Sequence, residues 1–580
     1  MTAPTAALQE AKPGLLGRYL PILDWLPSYR REWLPADAVA ALSVWALLVP
    51  QGLAYASIAG VPVQYGLYAA FAGLLAYAVF GTSRQLAQGP SGSVAAVSAV
   101  VVGPIVGTAA LGTSKAVGYT AALALAAGLV YLLLGLLRMG WVSNFLSKAV
   151  LGGFVLGFAI GIIIDQSHKL LGVDKVHGTY IQQLIGTIQE IPDTSLTTFA
   201  VGATSLIALL LMSRFLKRWP RALIVMALSI LAVSIFDLAD QGVQVTGTVP
   251  TGLFSIGLPG VGWSQFGALL AGALSVVFVG FSETIASARA MALKHGYEID
   301  PDQELIAQGM ACGAAGLVGG FATDGSLSKS SVADAAGQKS QMASLINALF
   351  VLLTMLFLAS LFENLPAATL GAVVIDAMLG VVTFGPLWRY FRVNRPDWVF
   401  FMGAMLGILF FGIIQGILIG VVLSLLLLIA RASKPAIRRL GRDPTADVYV
   451  NVDRYDGLEL VPDLLVLRID GPLFFADANR FRDALNELIK SNPEPVRAVV
   501  VDADPISQTD TDGADIMIQI AGDLRSQGIW LAIAHLNSSI LELWTRAGAI
   551  DAIGPDHVFQ TVRAAVRAFQ ADGSASLAGR

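Results

Sequence analysis

Apolar residues fill positions 37 to 432 in blocks of about 15 to 24, each long enough to cross a bilayer as a helix, with polar residues gathered between the blocks. The blocks lie near 37–58, 64–82, 93–110, 117–137, 148–165, 196–213, 221–237, 265–287, 304–320, 341–362, 366–384, 397–412 and 414–432. A short, polar stretch at 328–338 completes a set of about fourteen spans by symmetry, since hydropathy alone does not single it out.

Two serine-bearing breaks interrupt this pattern: Gly89-Pro90-Ser91-Gly92-Ser93 and Asp324-Gly325-Ser326-Leu327-Ser328-Lys329. In lipid, a backbone that leaves the helix has N–H groups in need of partners, so such breaks persist only inside protein or beside a watery cavity. Each break opens the third element of its half of the chain, the pattern of an inverted repeat of seven plus seven spans. Helix starts offer free amides and about half a positive charge, so two of them converging near the midplane form a site for an anion.

Composition agrees with this class: 55% of the 580 residues are apolar and 13% are charged. The net charge of −4 points to no nucleic-acid partner. The first thirty residues lack the apolar run of a cleavable signal peptide. Cys312 is the lone cysteine and reads as a small packing residue.

With both termini cytoplasmic, the inner loops collect Arg84, Arg138, Lys148, Arg214, Lys217, Arg218, Arg221, Arg289, Lys294, Lys339, Arg389, Arg392 and Arg395. The outer loops keep only Lys115, Lys169 and Lys175, as the positive-inside rule requires. After the last span comes a basic linker, 433–446, in which Arg438, Arg439 and Arg442 with Arg431 and Lys434 form a collar that reads first as a stop-transfer flank and second as a contact with anionic lipid.

From 447 the text becomes that of a soluble α/β domain reaching to 573. Strands are expected at Val448–Val452, Leu464–Ile469, Val499–Val501 and Ile529–Ile533. Helices are expected at Ala476–Lys490, Gly513–Gln527, Ser538–Arg546 and Val558–Phe569. Residues 574–580 read as a disordered tail, and 1–36 as a cytoplasmic N-terminal segment.

The run Val49-Pro50-Gln51-Gly52-Leu53-Ala54-Tyr55-Ala56, then Tyr65-Gly66-Leu67-Tyr68 with Gly81-Thr82-Ser83-Arg84, and the Ser326-Leu327-Ser328-Lys329-Ser330 turn together resemble the sulfate permease (SulP) family of anion transporters. The tail resembles the STAS domain that members of that family carry, so the likeness covers nearly the whole chain. It implies a core and a gate domain within the transport domain 37–432, alternating access and a homodimer in the inner (plasma) membrane.

Carried over by position, the resemblance places Gln51 and Tyr55 on the first-span wall of the pocket, Ser91, Gly92 and Ser93 at one helix start, and Ser326, Leu327, Ser328 and Lys329 at the other. Amides and hydroxyls suit that task because they donate to an oxyanion without burying a full charge. Each also has a structural reading. Gln51 follows Pro50 and can mend a kink, Tyr55 can be packing, and the serines can be N-caps.

Lys329 stands where many family members show arginine, and in the first turn of a helix it opposes the macrodipole. A transported anion or a carboxylate, Glu283 or Asp334, would compensate it. Glu283, an ionisable group deep in the eighth span, is a functional candidate on its own account. Proton-coupled relatives link a carboxylate on this span to coupling, so Glu283 is expected to bind the proton that accompanies the anion. Sodium is the alternative coupling ion, since Asp324, Glu283 and backbone carbonyls can coordinate a cation.

Asp165, Asp376 and Arg138 read as span-end residues with local partners. His168, His177 and His295 lack metal-ligand spacing, and neither a catalytic triad nor a phosphate loop is present, so no enzyme, metal or cofactor is expected. In Thr509-Asp510-Thr511-Asp512-Gly513 an aspartate fills the place where STAS relatives often carry a phosphorylatable serine, and Asp512 is expected to cap the next helix. The expected substrate is sulfate or a similar small inorganic oxyanion. Bicarbonate, a fumarate-like dicarboxylate, a nucleobase symporter and a channel-like sensor are the alternatives, and the STAS-like tail and Lys329 speak against the nucleobase carrier.

Overall fold

The computed structural model describes residues 19–578, apart from 108–111, 142–147, 177, 217–218, 248–251, 383, 476 and most of 413–435. Two compact units divide the chain, Met1–Ser424 and Leu425–Arg580.

The first unit is helical. Its elements are α1 (Leu34–Ala59), α2 (Gln64–Phe80), β1 (Gln88–Gly89), α3 (Gly92–Val106), α4 (Ser114–Leu136), α5 (Lys148–Leu171), α6 (Tyr180–Gln189), α7 (Leu196–Phe215) and α8 (Arg221–Phe236). The second half continues with α9 (Trp263–His295), α10 (Pro301–Leu317), β2 (Asp324–Gly325), α11 (Leu327–Ala335), α12 (Met342–Leu353), α13 (Ala367–Val381), α14 (Gly385–Val393) and α15 (Arg395–Phe411). Thirteen of the expected spans are present as helices, and the fourteenth, 414–432, lies mainly outside the described residues. Among the described residues seven helices are long and apolar enough to cross a membrane. Others, such as α3 and α11, are too short to do so because their starts lie at the two breaks. Helices α6 and α14 were not expected. Both are short and one-sided in polarity, so span-length windows pass over them.

Small residues let helices from the two halves touch backbone to backbone. A methyl added at Gly128 of α4 would meet the Gly309 carbonyl oxygen of α10 at 2.9 Å, and one added at Gly316 would meet the Ala121 carbonyl oxygen at 2.7 Å. Lipid tails are as apolar as leucine, so close van der Waals contact of this kind, rather than escape from water, holds such pairs together. Gly153 and Gly157 of α5 meet Phe401 and Met405 of α15 in the same way.

The second unit is a six-stranded sheet in the order β4-β3-β5-β6-β7-β8. Its strands are β3 (Ala436–Asp443), β4 (Val448–Asn451), β5 (Leu464–Asp470), β6 (Ala498–Asp502), β7 (Trp530–Ala534) and β8 (Val558–Phe559). β3 runs antiparallel to β4 and β5, while β5 to β8 are parallel. Its helices are α16 (Ala478–Ser491), α17 (Thr511–Ser526), α18 (Ser538–Arg546), α19 (Ala549–Ile553) and α20 (Val562–Ala578). The run Ala498–Asp502 is buried throughout, as expected of a parallel strand covered on both faces.

Four expectations for this unit are corrected. Residues 436–443 are strand, not linker: Arg438 pairs with Asp470 at 2.7 Å and Arg442 with Asp447 at 2.8 Å, so both arginines are engaged within the sheet. Arg431 and Lys434 lie outside the described residues. Val558 and Phe559 form an edge strand, and the helix begins only at Val562 and continues to Ala578, through most of the expected tail. The cap of α17 is Asp510, whose Oδ1 accepts the Gly513 N–H at 2.9 Å, while Asp512 is exposed in the first turn.

Candidate anion site

The two breaks meet. β1 and β2 pair antiparallel, Gln88 opposite Gly325 and Gly89 opposite Asp324, so the backbone groups that leave the helices satisfy one another. The Ser326 N–H extends the ladder to the Ala87 carbonyl at 3.2 Å. Because the strands are antiparallel, α3 and α11 depart from opposite ends of this ladder with their N-termini turned toward it.

A polar lining fixes the crossing. Gln88 donates to Gln308 Oε1 and Thr323 Oγ1, both at 3.1 Å. The Gly325 N–H donates to Thr284 Oγ1 on α9 at 2.9 Å, and the Ala87 N–H to Ser330 Oγ on α11 at 2.9 Å. Gly89 has a φ of +154°, and a methyl there would sit 2.8 Å from Leu48 Cδ1 and 3.4 Å from Lys329 Nζ. Both its dihedral and its neighbours therefore require glycine.

Ser91 is the N-cap of α3, accepting the Val94 N–H at 3.4 Å, and its Oγ lies 3.1 Å from Ser93 Oγ. The same spacing recurs at the other start, where Ser326 Oγ lies 3.1 Å from Ser328 Oγ. Ser326 makes no capping bond, however, and Ser328 and Leu327 are exposed. Tyr55 is buried against the first residue of α3, since a methyl at Gly92 would meet its Cε1 at 3.3 Å. Gln51 is buried on the same helix, one residue past Pro50.

Lys329 is 1% exposed and donates to the Pro90 carbonyl at 2.6 Å. The suggested pairing with Asp334 is not made. Asp334 is held instead by Lys294 and by His295 Nε2, the latter at 2.6 Å. Glu283 lies within electrostatic reach of Lys329, Asp324 and Ser93. Tyr55, Ser91, Gly92, Ser93, Glu283, Ser326 and Lys329 are thus gathered around one ladder, from α1, α3, α9 and α11.

Sequence reasoning gave no role to Glu304. It is fully buried at the start of α10 and accepts bonds from Tyr77 Oη at 2.8 Å, the Thr82 N–H at 2.9 Å and the Ser83 N–H at 3.2 Å. It thereby anchors the Gly81-Thr82-Ser83-Arg84 stretch that leads into β1. Tyr297 adds bonds to Ser83 at 2.9 Å and Gln85 at 2.9 Å. The paired signal, an acid three residues past the first residue of a helix and a Gly-Thr-Ser turn, is distributed over more than 200 residues and has no periodicity to reveal it.

Asp165 pairs with Lys175 at 2.6 Å and Asp376 with Arg221 at 3.0 Å, local partners as expected. Cys312 is buried, but it also donates to the Thr323 carbonyl at 3.2 Å.

A model of the sulfate permease family matches residues 34–404, and one of the STAS domain matches 449–565. The chain belongs to the sulfate permease family. The Mycobacterium tuberculosis protein described as "Probable sulfate transporter Rv1739c" is 32% identical over 542 residues, covering 93% of this chain and 96% of that protein. "Sulfate transporter 1.1" of Arabidopsis thaliana is 29% identical over 585 residues, covering 96% and 89%. Among solved structures, that of the murine Solute Carrier 26 family member A9 anion transporter superposes with a TM-score of 0.88 at 24% identity, over 98% of this chain and 96% of that one. The transmembrane domain of the cyanobacterial bicarbonate transporter BicA superposes with a TM-score of 0.60 at 22% identity, over 68% and 98%. The sulfate permease family member is thus a multi-pass membrane protein of a transporter family and not an enzyme, with a helical transmembrane domain followed by a STAS domain.

Proposed function

We propose that this protein is a secondary carrier of sulfate or a similar small inorganic oxyanion, working by alternating access with the proton as coupling ion. The observation that carries the reading is the joining of two serine-bearing helix starts by the β1–β2 ladder, with Lys329 buried across it. An ammonium has three hydrogens, and the Pro90 carbonyl takes one of them, so Lys329 keeps donors for an anion beside the free amides of α3 and α11. Gln51, Tyr55 and the four serines complete the lining.

Glu283 supplies the coupling. Its carboxylate and the anion compete for the same lysine, so an anion binds most readily when Glu283 takes up a proton. The names of the relatives support the substrate class, as sulfate appears in both. In this reading both termini face the cytoplasm of a plasma membrane, and the STAS domain serves dimer contacts and regulation.

The test is uptake of radiolabelled sulfate by the full-length protein in liposomes under an imposed inward proton gradient, with bicarbonate, fumarate and uracil as competitors. Uptake driven by the gradient and inhibited by excess sulfate is expected. Uptake driven by a sodium gradient alone, or sulfate without effect while another competitor is transported, overturns it. Glu283→Gln should weaken the stimulation by the proton gradient, and stimulation as strong as in wild type overturns the coupling role.

A further inference from the structure

Asp324 is the partner of Gly89 in the ladder, and its side chain is fully buried. Neither carboxylate oxygen has a hydrogen-bond partner among the described residues. Ser91 and Glu283 approach it without completing a bond. Its Cβ lies 3.6 Å from where a side chain at Gly280 would begin, and Gly280 stands one turn from Glu283 on α9.

The titratable groups facing it are Glu283 from α9, Lys329 from α11, Tyr55 from α1, Tyr131 from α4 and Cys312 from α10. Several have committed their protons elsewhere. Tyr131 Oη donates to the Val277 carbonyl at 3.1 Å, Cys312 to that of Thr323 at 3.2 Å, and Lys329 gives one hydrogen to Pro90. A buried carboxylate without donors is costly when ionised, and the neutral acid is the form such a place accepts.

Charge counting sharpens this. Lys329 brings one positive charge, and Glu283 and Asp324 each bring a negative one when ionised. With both carboxylates ionised the site is net negative and repels an anion. One proton makes it neutral, and two make it positive.

We propose that Asp324 is a second proton-binding carboxyl of the anion site, so that each oxyanion enters with one proton on Glu283 and one on Asp324. The inference rests on the proton-coupled reading above. Both protons come from the water on the side of entry and leave to the water on the side of release, so neither carboxyl changes its state over a full cycle. Two protons neutralise a divalent oxyanion, and the loaded carrier then crosses with the site's charge offset.

The test compares proton and sulfate fluxes in the same liposomes, using an internal pH-sensitive dye and radiolabelled sulfate. Wild type should move about two protons per sulfate, and Asp324→Asn and Glu283→Gln about one each. An Asp324→Asn protein with the wild-type ratio overturns the inference. Should that variant fail to fold, calorimetry of sulfate binding to wild type, in buffers of different ionisation enthalpy, gives the protons taken up per anion directly. About two supports the inference, and one or none refutes it. A wild-type ratio of one that vanishes in Glu283→Gln would defeat the role of Asp324 while leaving proton coupling intact. A ratio of zero would defeat both.

Discussion

Lys329 Nζ lies 2.6 Å from the carbonyl oxygen of Pro90, joining the first turn of α11 to the entry of α3 across a ladder two residue pairs long. The bond places a cation where two helix starts already favour negative charge, so the local electrostatics are one-signed until a carboxylate or an anion answers them.

Removing that charge should therefore weaken anion binding. Lys329→Met loses a charge-assisted interaction worth about 1.5–3 kcal/mol, or roughly 10- to 100-fold in anion affinity. Lys329→Arg should restore only part of it, because a planar fork cannot occupy the place of a compact ammonium against Pro90. Half-saturation of sulfate uptake measures both.

Gly89→Ala tests the ladder itself. The methyl would fall 2.8 Å from Leu48 Cδ1 at a φ of +154°, so a cost of about 1–3 kcal/mol is expected. Detergent-solubilised protein should melt at a lower temperature and lose uptake together. Loss of uptake with unchanged melting would place the effect at the Lys329 neighbour instead.

The two serine pairs should separate stability from affinity. Ser91→Ala removes the cap of α3 and should cost about 0.5–2 kcal/mol of stability along with anion affinity. Ser328 is exposed and caps nothing, so Ser328→Ala should weaken sulfate uptake with little change in melting temperature.

In the STAS domain, Asp447 accepts from Arg442 at 2.8 Å and pairs with Arg563 at 2.9 Å, and the Arg442 hydrogen bond holds its carboxyl below the usual range. A carboxyl lowered in the folded state gives stability that is present above its unfolded value, near pH 4, and is lost as pH falls further. Asp447→Asn keeps the left-handed backbone, φ 53°, that asparagine tolerates. It should melt below wild type at pH 7, and the gap should narrow as pH falls through the lowered carboxyl range.

Truncation should respect the strand that the sequence concealed. A deletion from 447 leaves β3 with both of its edges unpaired and should aggregate, whereas a deletion from 436 should remain soluble in detergent and keep its anion selectivity. Size-exclusion profiles and competitor panels distinguish the two.

What could be read in advance follows from physics. The breaks at Ser91 and Ser326 were legible because lipid punishes free backbone, and Glu283 because it punishes charge. The ladder that joins them was not, since two residues carry no alternation. β3 was hidden because Arg438 and Arg439 resemble a membrane flank, although Leu440 of the same strand is buried. Asp510 and Asp512 are equally good caps by composition, and only the backbone decides between them. The unpartnered state of Asp324 depends on five different helices and could not be seen from one of them.

The glycine contacts of α4 with α10 join a segment of the first half to one of the second with no side chain between them. Interlocking main chains leave no lubricating layer. If the pocket travels, these two rods must ride together as a single chassis, and a bulkier residue at Gly128 or Gly309 would unseat the vehicle before it ever touched the cargo.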